Sequence, residues 1–430
     1  MLTEIAAGVG PGSGAGAAAR AAFTGPWPAM SGAVAGPRPA GDGGVGVLLG
    51  LLGPRLPAPV HAALLAGWLA GLRDGPACGG LFGGGLAGRA VGLAYAAGAD
   101  PRLRGLAARQ RAALLDWIRT SPWRANRVGW SDYDLMTGPA GVLLGLASLP
   151  PADLSGLAAP GPVDLPGPPP ADPADPSGSP GPSGLPEPPG LGEPAGIRSL
   201  ARHLGALVGV ADRLRVRRHA GDGRAAQLGH VDYGLAHGLA GVVAALTAAG
   251  RLLPGEPPAP LRHAAHRLSE ASYVDSRRVL TWPPSTAGRP EPARRQAWCY
   301  GTPGVAWAIW DAGQLLGDPE LTGVGAAAMA SLCAAWDDDR YLYGDQPADR
   351  LGICHGLAGV LAIADAFARH AGHEPAARLR AHLLGRTDAG SIVDLGRADL
   401  TMLTGAAGVL AVLATVDGGQ RGWLPLLGLR

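Results

Sequence analysis

Two kinds of apolar segment alternate along the chain. The segments Val142 to Ala147, Val242 to Ala249, Val305 to Ile309, Val360 to Ala364 and Val409 to Ala414 are apolar all round. A helix without a polar face is buried on every side. Between them lie amphipathic stretches, usually carrying Arg: Val60 to Leu72, Arg102 to Arg119, Ile197 to Arg215, Leu261 to Ser272, Leu321 to Trp336 and Ala376 to Leu384. Such stretches predict helices with one buried and one wet face. Strand signals are scarce.

The alternation is a repeat. A Gly-x-x-Gly motif precedes an apolar run six times, at Gly85-Leu-Ala-Gly88, Gly138-Pro-Ala-Gly141, Gly238-Leu-Ala-Gly241, Gly301-Thr-Pro-Gly304, Gly356-Leu-Ala-Gly359 and Gly405-Ala-Ala-Gly408. The first glycines stand 53, 100, 63, 55 and 49 residues apart. The long interval contains a Pro-rich stretch at about 150–195, where missing donors and fixed φ argue for an insertion without a core of its own. Removing it restores a unit of about 55 residues, within the range of helical repeats. Six inner and six outer helices, with no polar capping repeat at either end, predict a closed α/α toroid over residues 41–430. Residues 1–40 read as a flexible N-terminal segment.

Composition narrows the chemistry. The chain is 47% hydrophobic and 16% charged, which supports a large core despite 70 Gly and 41 Pro. It contains no Lys, which excludes a P-loop or Schiff-base lysine. A net charge of +2 offers no basic stripe for nucleic acid. Four Cys form no disulfide framework and point to a reducing compartment. The N-terminus lacks the pattern of a signal peptide, and the apolar run Tyr233 to Leu253 reads as a buried helix rather than a membrane span.

The candidate chemistry appears when each repeat is numbered from its first glycine. Cys299 and Cys354 both stand two residues before it, in consecutive repeats, while His237 and His355 both stand one before it. Asp134 stands four before it in the second repeat. Equivalent positions share one rim, and adjacent inner helices are about 8–10 Å apart, so Cys299, Cys354 and His355 are expected to share a zinc ion with a fourth position open. Two thiolates and a neutral imidazole neutralise Zn2+. A third thiolate in the open position stays deprotonated yet electron-rich, which favours thiol addition over hydrolysis. Addition to an activated alkene needs an acid, for which His237 is the candidate, and a donor to the enolate oxygen, for which Arg295 is the candidate. Asp134 would orient the histidine or a water, or simply cap the next helix.

These strings resemble a known family. Trp298-Cys299-Tyr300-Gly301-Thr302-Pro303-Gly304, Cys354-His355-Gly356, Ala236-His237-Gly238, Tyr133-Asp134-Leu135 and Leu81-Phe82-Gly83-Gly84 are similar to motifs of the lanthionine synthetase C-like cyclases. The resemblance implies an α/α toroid with Zn2+ on Cys299, Cys354 and His355. It also implies addition of peptide Cys thiols to dehydroalanine or dehydrobutyrine, giving lanthionine or methyllanthionine thioether rings. Asp134, His237, Arg295 and Tyr300 sit where that family carries active-site residues. The implied partners are a dehydrated precursor peptide, a separate dehydratase and an export transporter. The implied location is cytoplasmic, at a membrane-bound biosynthetic complex. Two rivals share the pattern: an enzyme adding a small thiol such as glutathione to dehydrated residues, and a non-enzymatic scaffold for a modified peptide.

Other signals are weaker. Gly83-x-Gly85-x-x-Gly88 matches a dinucleotide fingerprint but follows no strand. Cys78 is out of register with the ligands and reads as a buried or spare thiol, and Cys333, in an Ala-rich outer helix, reads as core. Asp337-Asp338-Asp339 lacks a facing acidic motif and reads as a solvated helix end.

Overall fold

The computed structural model describes residues 41–430 apart from 77, 122, 151–192, 211–212, 217–228, 254, 256–258 and 288–294. The N-terminal segment and nearly all of the Pro-rich insertion therefore lie outside the described residues. Sixteen α-helices are described. In chain order they are α1 (Gly43–Leu52), α2 (Ala58–Gly71), α3 (Leu86–Ala99), α4 (Arg104–Thr120), α5 (Pro139–Ser148) and α6 (Glu193–Val208). Then come α7 (Leu239–Leu252), α8 (Ala259–Glu270), α9 (Thr302–Leu316), α10 (Pro319–Ala334) and the short α11 (Asp338–Tyr341) and α12 (Pro347–Leu351). Last are α13 (Leu357–His370), α14 (Glu374–Gly385), α15 (Ala389–Ala398) and α16 (Ala406–Val416). The strands are two residues each, β1 (Tyr273–Val274) and β2 (Leu280–Thr281), paired antiparallel. Among the described residues, no helix is long and apolar enough to cross a membrane.

The architecture is the expected α/α toroid, with a correction to its count. Helices α3, α5, α7, α9, α13 and α16 follow the six glycine motifs, and each is almost wholly buried. A seventh inner helix, α1, packs between α3 and α16 and closes the ring. Its own motif, Gly41-Asp-Gly-Gly44-Val45, merges in sequence with the Gly- and Ala-rich stretch before it. With four Gly in ten residues, α1 has poor intrinsic helix propensity. Packing decides it: a Cβ at Gly43 would lie 2.2 Å from the Gly88 carbonyl, and one at Gly46 would lie 2.5 Å from that of Gly92. The glycines let the backbones of α1 and α3 touch. Helices α2, α4, α6, α8, α10 and α14 match the expected outer helices to within a few residues, except that α6 starts earlier and ends at Val208. The outer α15 has no counterpart in the sequence reading.

The motif itself has a steric cause. A Cβ on its second glycine would strike the carbonyl of the turn before it, at 2.0 Å from Leu135 O for Gly141 and 1.8 Å from Met402 O for Gly408. Those turns are joined around the rim by backbone hydrogen bonds. Leu81 N donates to Met136 O, Leu135 N to Ala236 O, Leu235 N to Cys299 O, Cys299 N to Cys354 O, and Cys354 N to Leu403 O. The series reaches α1 where Met402 N donates to the Asp42 carboxylate at its start (2.8 Å).

The segment after α16 packs inside the ring. Leu424, Leu426, Leu427 and Leu429 are buried, and Trp298 Nε1 and Trp307 Nε1 donate to the carbonyls of Leu427 and Gly428.

Candidate functional site

The rim series brings the sequence-predicted donors together. Cys299 and Cys354 are neighbours on it, linked backbone to backbone. One ligand atom from each of Cys299, Cys354 and His355 lies within 4.8 Å of the other two. Cys299 is buried, whereas the His355 side chain is 42% exposed, so the cluster faces outward through the imidazole. Neighbouring sulfurs on a tetrahedral zinc stand about 3.8 Å apart, a separation small side-chain rotations reach from here. Two thiols and an imidazole are also the donor set zinc takes in sites that keep a position for substrate. The residues fit the metal.

Cys354 links the titrations of the three groups. Cys354 is pulled down to about 5, first by the hydrogen bond from Cys299 and then by His355. Cys299 is pushed well up by sharing its proton with Cys354 and by burial. His355 is raised chiefly by its bond to Cys354. One thiolate is thus favoured before any cation arrives, and ligand deprotonation is part of the cost of metal binding.

His237 stands on the same rim, with its Nδ1 2.7 Å from Asp134 Oδ2. Asp134 is 1% exposed, and its other oxygen accepts from Thr137 N, Gly138 N and the Thr137 hydroxyl. Asp134 is not the N-cap of α5, which is Gly138; one of its oxygens accepts from the turn into α5 and the other faces the histidine. The Asp134 bond fixes Nδ1 as the donor and leaves Nε2 for other work. Trp130, not singled out in the sequence, packs its ring 5.1 Å from that of His237.

Arg295 lies beside the thiol cluster. Its guanidinium donates to the carbonyls of Asp349 and His355 (3.2 and 3.5 Å) and stacks over Tyr343 at 4.3 Å. Asp349 also faces His355 Nδ1 at 3.6 Å, an outer-shell contact of the kind that orients ligating histidines. No repeat register marks Asp349, which comes from the short α12. Tyr300 donates its hydroxyl to Asp232 (2.6 Å). Asp232 was also missed, although its position six residues before the first glycine recurs as Asp132 and Asp399. Tyr133, fully buried, has no hydrogen-bond partner for its hydroxyl among the described residues.

The discounted signals lie elsewhere. Cys333 and Asp337 to Asp339 line a 680 Å³ cavity between α10 and α14 on the outer wall. Burial pushes the Cys333 thiol up to about 12, and Asp338 is occupied by Trp336, His382 and Arg386. Cys78 lies in the turn before α3, outside the donor cluster.

Comparison with known proteins places this geometry. Residues 207–423 match the model of the lanthionine synthetase C-like protein family. Among solved structures, nisin cyclase is similar over 94% of this chain and 95% of its own, with a TM-score of 0.67 at 16% sequence identity. No curated protein matches at the level of sequence.

Proposed function

The chain belongs to the lanthionine synthetase C-like family, and on that premise we propose that it is a zinc-dependent lanthipeptide cyclase. The observation that carries the reading is the convergence of Cys299, Cys354 and His355 beside the His237–Asp134 pair on one rim. Zinc on those three donors supplies the charge that keeps an incoming peptide thiol deprotonated at neutral pH.

The substrate is a peptide carrying a free Cys and a dehydroalanine or dehydrobutyrine. The Cys sulfur forms a bond to the β-carbon of the alkene, and the π pair moves toward the α-carbon and its carbonyl. His237 delivers a proton to the α-carbon, with Asp134 holding Nδ1 so that Nε2 meets the substrate. The thiol's own proton leaves to solvent or recharges His237, so the net change is addition of S–H across C=C. Arg295 steadies the loop under His355 and supplies positive charge for the enolate oxygen. Tyr300 lines the same floor.

The precursor comes from a separate dehydratase, and the finished peptide passes to an export transporter. These partners fit a cytoplasmic enzyme working at a membrane-bound complex.

The test is incubation with a dehydrated, Cys-containing precursor, followed by alkylation of the thiols that remain. Loss of alkylatable thiols without mass change is the expected result. If every thiol of a cognate precursor stays free, the reading fails; if only an added small thiol reacts, the small-thiol transferase replaces it.

A further inference from the structure

Repeats three and six share an Asp six residues before the first glycine, and comparing them exposes a device around Tyr300. In both, one carboxylate oxygen accepts from the backbone N–H two residues on: Asp232 from Gly234 N and Asp399 from Thr401 N, each at 2.7 Å. The turn needs only that oxygen. The second oxygen of Asp399 stays within its own repeat and accepts from the Thr404 hydroxyl (2.6 Å). The second oxygen of Asp232 reaches into the next repeat and accepts from Tyr300 (2.6 Å).

The position four residues before the first glycine completes the arrangement. Repeat two carries Asp134 there and repeat six carries Thr401, but repeat three carries Gly234. A Cβ at Gly234 would lie 2.5 Å from Tyr300 Cε1 and 2.7 Å from Cys299 O. No side chain is compatible with the ring where it sits. Repeat three therefore omits a side chain so that the phenol can lie against the turn and reach a carboxylate that is only 1% exposed.

We propose that Asp232 and Gly234 form a cradle that positions Tyr300 on the floor of the site, with the phenol proton committed to Asp232. Tyr300 then acts as a fixed wall of the site rather than as an acid, and His237 alone supplies the proton. Asp232 acts through Tyr300 and is a positioning residue. The cradle is a matter of geometry; only the meaning of the kinetic readout rests on the cyclase reading.

The experiment uses the full-length, zinc-loaded protein with tyrosines labelled at 13Cζ, the Tyr300 signal being assigned by its loss in Tyr300→Phe. Asp232→Ala and Gly234→Ala should each move that signal, and so should Asp232→Asn, whose amide N–H would face the phenol once its oxygen accepts from Gly234 N. In cyclisation, Tyr300→Phe should lower kcat less than tenfold, well short of the 10²–10⁴-fold loss expected of a lost acid. Asp232→Ala and Gly234→Ala should raise KM about tenfold with matching zinc content, and Asp232→Asn should stay within about threefold of the parent. Combining Asp232→Ala with Tyr300→Phe should add little to the worse single change. An unmoved Tyr300 signal in Gly234→Ala, or a hundredfold fall in kcat for Tyr300→Phe, overturns the proposal. Gly234→Ala leaves the Asp232 carboxylate intact, so it decides the matter even if Asp232→Ala does not fold. If the parent protein forms no rings, the cyclase reading falls while the 13C signal still decides the cradle.

Discussion

The two ends of the toroid treat buried acids in opposite ways. At the end where the inner helices finish, Asp365 is 1% exposed and meets Arg369, Arg380 and Arg421, all within 3.0 Å. Nearby, Asp311 is held by Arg251 and by Arg430 of the final segment, whose ring partner is Trp310. At the end where the inner helices begin, Asp134 and Asp232 are equally buried, yet their side-chain partners are His237 and Tyr300 with backbone N–H groups. Full arginine pairing immobilises a charge and makes it structural. Pairing Asp134 with a histidine keeps a proton-transfer group in place, and Asp232 fixes a phenol on the same rim. Strength of pairing, rather than burial, separates the closing end from the working end.

Removing a thiol is the severest way to test that contrast. Cys354→Ala should abolish both zinc binding and ring formation while leaving the helical content and the arginine-clamped end intact, as metal analysis and circular dichroism would register. Full zinc content in the purified variant would remove Cys354 from the ligand set.

His237→Ala comes next. It should keep zinc and slow cyclisation by about 10²–10⁴, the usual worth of a positioned acid. Unchanged ring formation would leave the metal site standing without its acid.

At the other end the effect should fall on stability alone. Asp365→Ala strands three arginines that can turn partly to water, so the cost should be about 3 kcal/mol, at the low end for a broken buried network. Denaturant titration should show it, with zinc content and kcat unchanged. A comparable loss of zinc would mean that the two ends are coupled.

The last effect appears only with pH and concerns Asp42, the carboxylate that ties Met402 to the start of α1. Burial raises it to about 6 from 3.8, against the lowering effect of the Gly44 and Met402 N–H groups. Between those values the folded state holds the proton that the unfolded chain has lost. Stability from this group is therefore greatest below about pH 4 and declines through about pH 6, by up to about 3 kcal/mol. Asp42→Asn keeps an acceptor and removes the charge, so it should stabilise the fold at pH 7 and flatten this part of the pH profile. Asp232, likewise raised to about 6 by burial, contributes with the same sign. A steeper pH dependence in Asp42→Asn would contradict the assignment.

Local regularity explains how much of this was visible in the sequence. The glycine motif recurs because its second position meets a carbonyl in every turn, so six inner helices and their register could be read directly. The same register aligned Cys299 with Cys354 and His237 with His355. Helix α1 was missed because four glycines in ten residues look like loop unless α3 is there to receive them. Asp349 and Trp130 were missed because they reach the site from outside the repeat pattern, through a short helix and a turn. Asp232 did lie in the pattern, but among the described residues the carboxylates of its sequence equivalents Asp132 and Asp399 accept from groups of their own repeat.

By itself, then, the sequence determined the helical repeat, the order of inner and outer layers, and which residue types occupy equivalent places on one rim. These follow from periodicity and from contacts within a repeat. Only the tertiary structure decided that a seventh inner helix among the described residues joins the ring, that the segment after α16 packs inside it, and that Asp134 faces His237 across 103 positions of chain. Those outcomes depend on backbones and charges meeting through space, where sequence distance carries no information.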